Sequence, residues 1–380
     1  MIYVLYSGDY EVFMGGNYLP ESKVLLEPTD LALDVFESIK VPVTLFADLL
    51  CLWRYRELGF GEFPDQVDDQ LRDVVRRGHD VQMHIHPHWP KTDIERCEDG
   101  STHYQFDNIW THPGPHFSNL YEFMLENLQS GKEYLNNLLA DEAPDYRCVA
   151  YRAGGYGFTN GTMEILAALE DAGYLIDSSV VPGYPGIDVP VRQVDMRNVP
   201  TQGNYLLSRK WGLSRPADDG VFEIPVAAGA VEGIAALVRA KIKAVGRRIV
   251  KRPLPHTNIG YTSNEKMIRS QPVATASLAS RVKRAITRTL SLSQWNMLDI
   301  KEDAQAIFDI TQSYVRRYQN ESPDLFFSVS FHPKEFVAER REALRKYHGM
   351  LKRYYGDNIR AITFRQAAEL ISPQLKKSDE

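Results

Sequence analysis

Gly78-His79-Asp80-Val81-Gln82-Met83-His84-Ile85-His86-Pro87-His88-Trp89 is the stretch on which the reading of the whole chain turns. Val81 and Met83 are apolar positions of a short strand that ends in an aromatic-capped loop. Four of the chain's 10 histidines fall between His79 and His88. His84 and His88, four residues apart, can approach one metal ion from the mouth of a strand. In a helix the same spacing would put both on one face, but Pro87 bars a regular helix interior there. Three histidines within five residues point to metal or proton chemistry rather than to an ordinary polar loop.

Outward from that stretch the composition is that of a globular protein. At 380 residues, 43% hydrophobic and 25% charged, the chain can bury one large core or two smaller ones. A net charge of −6 argues against general nucleic-acid binding, which needs an excess of Lys and Arg. Cys51, Cys97 and Cys148 are odd in number and widely spaced. They suggest neither a disulfide framework nor a zinc ribbon, which favours a reducing compartment. Met1-Ile2-Tyr3-Val4-Leu5-Tyr6 enters a strand at once, without the basic and long apolar regions of a signal peptide. No window reaches the apolar length of a membrane span. The expected location is the cytoplasm.

Strands and helices alternate along the sequence. Ile2–Leu5 reads as a buried strand leading to Asp9 and Glu11, which point the same way if the chain stays extended. Asp30–Ile39 reads as a helix, 42–46 as a strand, and 63–77 as a helix closed by Gly78. The histidine strand follows. Residues 91–116 read as a long aromatic loop carrying His103, Tyr104, Phe106, Trp110, His112 and His116, either a lid for sugar rings or a secondary core. Phe117–Leu139 reads as a helix. Cys148–Tyr151 reads as a strand that runs into Arg152-Ala153-Gly154-Gly155-Tyr156-Gly157, whose glycines permit close backbone approach to a ligand. A helix over 162–172 follows, then strands over 174–179 and 221–225. Near the C-terminus come a helix over 299–318, the strand Leu325–Ser330 delivering Phe331-His332-Pro333, a helix over 335–354, a strand over 359–363 and a last helix ending near Ile371. This alternation is the pattern of a parallel sheet with crossover helices. Its candidate residues fall at strand C-termini, where barrel enzymes keep their sites.

Between Leu237 and Thr289 stand 13 Lys and Arg against one acid, Glu265. Residues 231–250 form an amphipathic basic helix pattern, suited to an anionic membrane surface or, more ordinarily, to docking on an acidic body or a second subunit. Peripheral membrane contact through 231–250 and homo-oligomerisation are both open on this reading.

Taken together, these motifs resemble the polysaccharide deacetylase (NodB-homology) family. Residues 78–88 resemble its G-H-E-(I/V)-x-x-H-(S/T)-x-x-H motif, Ser7-Gly8-Asp9 a degraded T-F-D-D, and Tyr151–Tyr156 an F-R-x-P-(Y/F) without its proline. Ser330-Phe331-His332 resembles the last motif, and Asp177 stands where the fourth is expected. The resemblance implies an α/β fold, a distorted parallel β/α barrel over 1–226 and 299–372, with a basic helical insertion over 227–298 and a tail over 373–380. It also implies a divalent metal, expected to be zinc, on Asp9, His84 and His88. The family's paired aspartates are broken by Gly8, so Asp9 serves as ligand with Glu11 as base, or the two exchange roles. His86 is expected behind the metal's ligands or facing substrate, with a replacement ligand as the alternative. Arg152 would orient the carboxylate and His332 would protonate the leaving nitrogen. Trp89, Gly154, Gly155, Tyr156 and Asp177 are the expected substrate contacts.

The activity so implied is hydrolysis of an N-acyl group, expected to be N-acetyl, on a small-molecule sugar or glycan precursor of surface polysaccharide. A non-sugar or cyclic amide is the alternative substrate. A catalytically silent carbohydrate-binding barrel is the alternative outside enzymes.

Overall fold

The computed structural model describes the chain apart from residues 18, 107–118, 160–161, 185–186, 190–191, 232–293 and 376–380. Its centre is a sheet of mostly parallel strands: β1 (Ile2–Tyr10), β2 (Thr44–Asp48), β3 (Asp80–Ile85), β4 (Ala150–Ala153), β5 (Ile176–Asp177), β6 (Val221–Glu223), β7 (Leu325–Phe331) and β8 (Ile359–Ala361). Fully buried runs such as Asp80–Ile85 and Leu325–Phe331 are what a parallel sheet covered on both faces requires. The strands neighbour one another in the order β6-β5-β4-β3-β2-β1-β7, with β8 alongside the first residues of β1. An antiparallel hairpin, Tyr205–Ser208 with Gly212–Ala217, extends the sheet beyond β6. A parallel bridge from Val226 to Ser328 brings the chain leaving β6 back to β7. That contact is a single bridge rather than a ladder.

Helices connect the strands: α1 (Glu27–Ser38), α2 (Leu49–Glu57), α3 (Glu62–Arg76), α4 (Leu120–Leu139), α5 (Thr162–Asp171), α6 (Ala304–Tyr318), α7 (Ala338–Tyr355) and α8 (Phe364–Leu375). In α3 the inward face is Phe63, Val67, Leu71, Val74 and Val75, at helical spacing. Gly78, at φ 84°, turns the chain from α3 into β3, a conformation that costs glycine nothing.

The alternation read from the sequence is present, with three differences. Helix α2 follows β2 directly, because Leu49, Leu50, Cys51, Leu52 and Tyr55 find a buried face there. Part of the expected loop over 91–116 is ordered as a hairpin, Asp93–Arg96 against Thr102–Gln105, with Gly16–Asn17 as a third strand. Pairing satisfies the hairpin's backbone groups. Tyr104 turns inward, where its hydroxyl meets Asn17 and Tyr55, so this ring joins the main buried core and is not an exposed sugar platform. Trp110, His112 and His116 lie outside the described residues, as does most of the basic helix expected over 231–250. The flanks of that segment, Ala228–Val231 and Gln294–Met297, pair antiparallel, so the chain leaves and re-enters the body side by side. No helix among the described residues is long and apolar enough to cross a membrane.

Candidate active site

Side chains alternate along a strand, so Ser7 and Asp9 of β1, with Glu11 just past its end, share one side. His84 of β3 and His86 just beyond it obey the same rule. At the C-terminal ends of β1 and β3, which flank β2, the two sets meet. His86 Nε2 and His84 Nε2 converge on one oxygen of Glu11, Oε2, at 2.6 and 3.3 Å. The other nitrogen of His84, Nδ1, donates to the Arg152 carbonyl oxygen at 2.9 Å. That bond orients the ring and leaves Nε2 directed into the site. Gly154 supplies the room for the His86 ring, since a Cβ there would stand 2.5 Å from Nδ1.

Glu11 is the hub. Its second oxygen, Oε1, accepts from the Lys334 ammonium at 2.7 Å, and the same nitrogen donates to the Val12 carbonyl at 2.9 Å. Burial alone would raise the Glu11 pKa. Lys334 first, then His86 and the imidazole hydrogen bonds, more than offset this and hold it well below the ordinary glutamate value.

Asp9 is committed differently. Arg152 is fully buried and spends its donors on the strand ends around it. Nη1 bonds Asp9 Oδ1 at 2.7 Å, Nη2 reaches the hydroxyls of Ser7, Ser178 and Ser328, and Nε bonds the Ser178 carbonyl. Burial pushes Asp9 up, but Arg152, then His84 and His332, bring it below the usual aspartate value. His332 closes the arrangement from the end of β7. Its Nε2 lies 3.6 Å from Asp9 Oδ2 and 3.5 Å from Glu11 Oε1. At 24% side-chain exposure it is the most open member of the group, whose carboxylates stand at 7%.

These contacts test a metal on the residues present. Among the described residues, ligand atoms of Glu11, His84 and His86 lie within 4.8 Å of one another. Ligands about 2.0 Å from a tetrahedral zinc stand roughly 3.3 Å apart, so the donor atoms fit one ion in type; the His84–Glu11 separation of 3.3 Å already matches, and the 2.6 Å His86–Glu11 contact has to open to admit the ion. The ligand set expected from the sequence, Asp9, His84 and His88, is not the set drawn together here. Asp9 is held by Arg152. His88 lies beyond the strand, past Pro87, packed against Trp89 and Phe106 at 4.7 and 4.8 Å between ring centres. Among the described residues neither ring nitrogen of His88 has a hydrogen-bond partner, and burial, then His86, depress its pKa well below the ordinary histidine value.

The residues expected to touch substrate are distributed unevenly. Trp89 is fully buried and donates from Nε1 to Asp48 at 2.5 Å, which makes it a support beneath the histidines. Gly154 serves His86, as above. Gly155 and Tyr156 adopt positive φ of 60° and 59° in the turn after β4. Tyr156 is nearly buried beside Ser330. Asp177 is fully buried, bonded to the Ser179 hydroxyl and backbone, with Glu223 against it.

Three residues of this neighbourhood had no place in the sequence reading. Lys334 follows His332 by two positions and carried no signal of burial. Asp48 ends β2 opposite His84, and burial raises its pKa to about 7. Asp299, whose backbone bridges Ser330, has a buried carboxyl that burial raises in pKa, opposed by Lys301 and then His332.

No protein-family model matches the chain, and no curated protein does. Among solved structures, one similar fold belongs to a Mycobacterium smegmatis protein provisionally named a polysaccharide deacetylase. It has 13% identity and a TM-score of 0.45, with 98% of this chain and 91% of that chain covered. Another is Puue allantoinase, at 12% identity and TM-score 0.45, covering 97% of this chain and 90% of the other. Matches this distant carry no functional argument, which rests on the site.

Proposed function

We propose that the protein is a metal-dependent hydrolase of an N-acyl group, with a divalent ion held by Glu11, His84 and His86. The observation that carries this reading is the convergence of two imidazoles on one Glu11 oxygen while His332 faces both carboxylates. Imidazole with carboxylate is a donor set suited to zinc. An ion there would acidify water towards pKa ~7 and polarise an amide carbonyl.

The roles of the two acids follow from their partners. Glu11 belongs to the donor group and is the ligand. Asp9, oriented by Arg152 and ionised at neutral pH, is the base that removes a proton from the attacking water. His332, the most open of these groups, delivers a proton to the departing nitrogen. This is the second of the two assignments of Asp9 and Glu11 that the sequence reading left open.

The motif resemblance supports a sugar substrate carrying N-acetyl. Together with the expected cytoplasmic location, it supports a soluble or lipid-linked glycan precursor over a finished polymer. The test is acetate release by zinc-loaded protein from a panel of N-acetylated sugars and nucleotide sugars, with ring opening of a cyclic amide measured alongside. Turnover of the sugars, abolished in Asp9→Asn, is the expected result. Turnover of the cyclic amide alone would replace the substrate class, and sugar binding with no metal and no turnover would make the chain a binding barrel.

A further inference from the structure

Lys334 is placed where a second cation meets the metal ligand. It sits in the turn after His332, 5% exposed, and its three donors are matched by three acceptors. Those are Glu11 Oε1, the Val12 carbonyl, and the face of Phe13 with its centre 5.2 Å away. An ammonium so engaged has no direction left toward a reacting group, unlike His332 two residues earlier.

Resting on the metal reading above, we propose that Lys334 is a positioning residue that stands in for the metal's charge at Glu11: it keeps the site formed without metal and lowers affinity for a divalent cation when one arrives. With Oε1 held by Lys334, Glu11 offers only Oε2 to the imidazole side. The carboxylate's negative charge is then shared between two cations. Like charges on opposite oxygens of one buried carboxylate repel, because little solvent intervenes to screen them. Losing Lys334 also removes a hydrogen bond that aims Glu11, which acts the other way. In a buried site the charge is the larger effect.

The experiment is a zinc titration of the apo-protein by calorimetry, comparing wild type with Lys334→Met and Lys334→Gln, with thermal unfolding of each apo form. The expected result is tighter zinc binding in both variants, by at least ~10-fold, with a lower apo melting temperature. Mere structural damage would weaken zinc binding, so the direction separates the two accounts. Unchanged or weaker binding in a variant that still melts cooperatively overturns the proposal. Absence of stoichiometric zinc in wild type instead overturns the metal reading itself. If Lys334→Met fails to fold, Lys334→Gln, which keeps a donor for Glu11, carries the test with the same outcomes.

Discussion

Asp9 and Glu11 stand two residues apart on the same side of β1, yet their oxygens face different partners. Asp9 answers to Arg152 and Glu11 to two imidazoles and Lys334. An amide in place of Asp9 keeps the size and loses the proton-accepting charge. Asp9→Asn is therefore expected to bind zinc at wild-type stoichiometry while kcat falls by ~10²–10⁴. Loss of zinc from this variant would return Asp9 to the ligand set. His332→Ala should likewise keep its metal and lose ~10²–10⁴ in kcat, the usual contribution of a positioned acid. The informative assay is a leaving-group comparison. A substrate whose departing group needs no proton should be hydrolysed by His332→Ala nearly as fast as by wild type, and an equal deficit on both substrates would deny His332 the acid role.

Much of this site was legible from spacing, and the errors have a physical origin. The histidine-rich strand end, Arg152 near the end of β4 and His332 after β7 all arrive at one mouth, because parallel strands deliver their C-termini together. The four-residue spacing of His84 and His88 does not bring both rings to Glu11, because the chain turns at Pro87 and His88 packs on Trp89 and Phe106. Period two was the better guide, since it pairs His84 with His86 and Asp9 with Glu11. Lys334 and Asp299 could not be found this way, since the burial of a charge is decided by what packs around it.

At the scale of elements, the turn after β4 and the contact of β5 with β6 make separate demands. A Cβ on Gly154 would stand 2.5 Å from His86 Nδ1 and 2.6 Å from the Ile85 carbonyl oxygen, a backbone atom that cannot step aside. Gly154→Ala should thus displace the His86 ring and weaken zinc binding by about 10–100-fold, as loss of a ligand's support does elsewhere. Titration of the variant checks this, and unchanged affinity would mean that the turn yields.

Glu223 of β6 lies against Asp177 of β5, and burial, then the Asp177 charge, raises its pKa well above 4.5. In the unfolded chain Glu223 loses its proton near 4.5, whereas the folded protein keeps it to higher pH. Folded protein then binds more protons, so this group's contribution to stability declines as pH rises through its folded pKa. Glu223→Gln removes that decline. Melting temperatures from pH 4 to 8 should show the variant gaining on wild type with rising pH, and parallel curves would contradict the assignment.

At the scale of the molecule, strands far apart in sequence converge on a few ångströms of space. β1, β3, β4 and β7 each contribute a polar group at their C-terminal ends. Serine hydroxyls from β1, β7 and the chain after β5 surround Arg152 beneath them. The parallel sheet with crossover helices was foreseeable from the alternation of strand and helix. The hairpin over 93–105 was not, since its polar strands lack a clear period. Whether the assembled mouth is a metal centre, and on which histidines, is decided most directly by metal content per chain. Elemental analysis of zinc-reconstituted wild type, His86→Ala and His88→Ala, each confirmed folded, is that measurement. The expected result is close to one zinc per chain in wild type and in His88→Ala, and little in His86→Ala. Zinc retained by His86→Ala and lost from His88→Ala, or no zinc in wild type, would contradict the account.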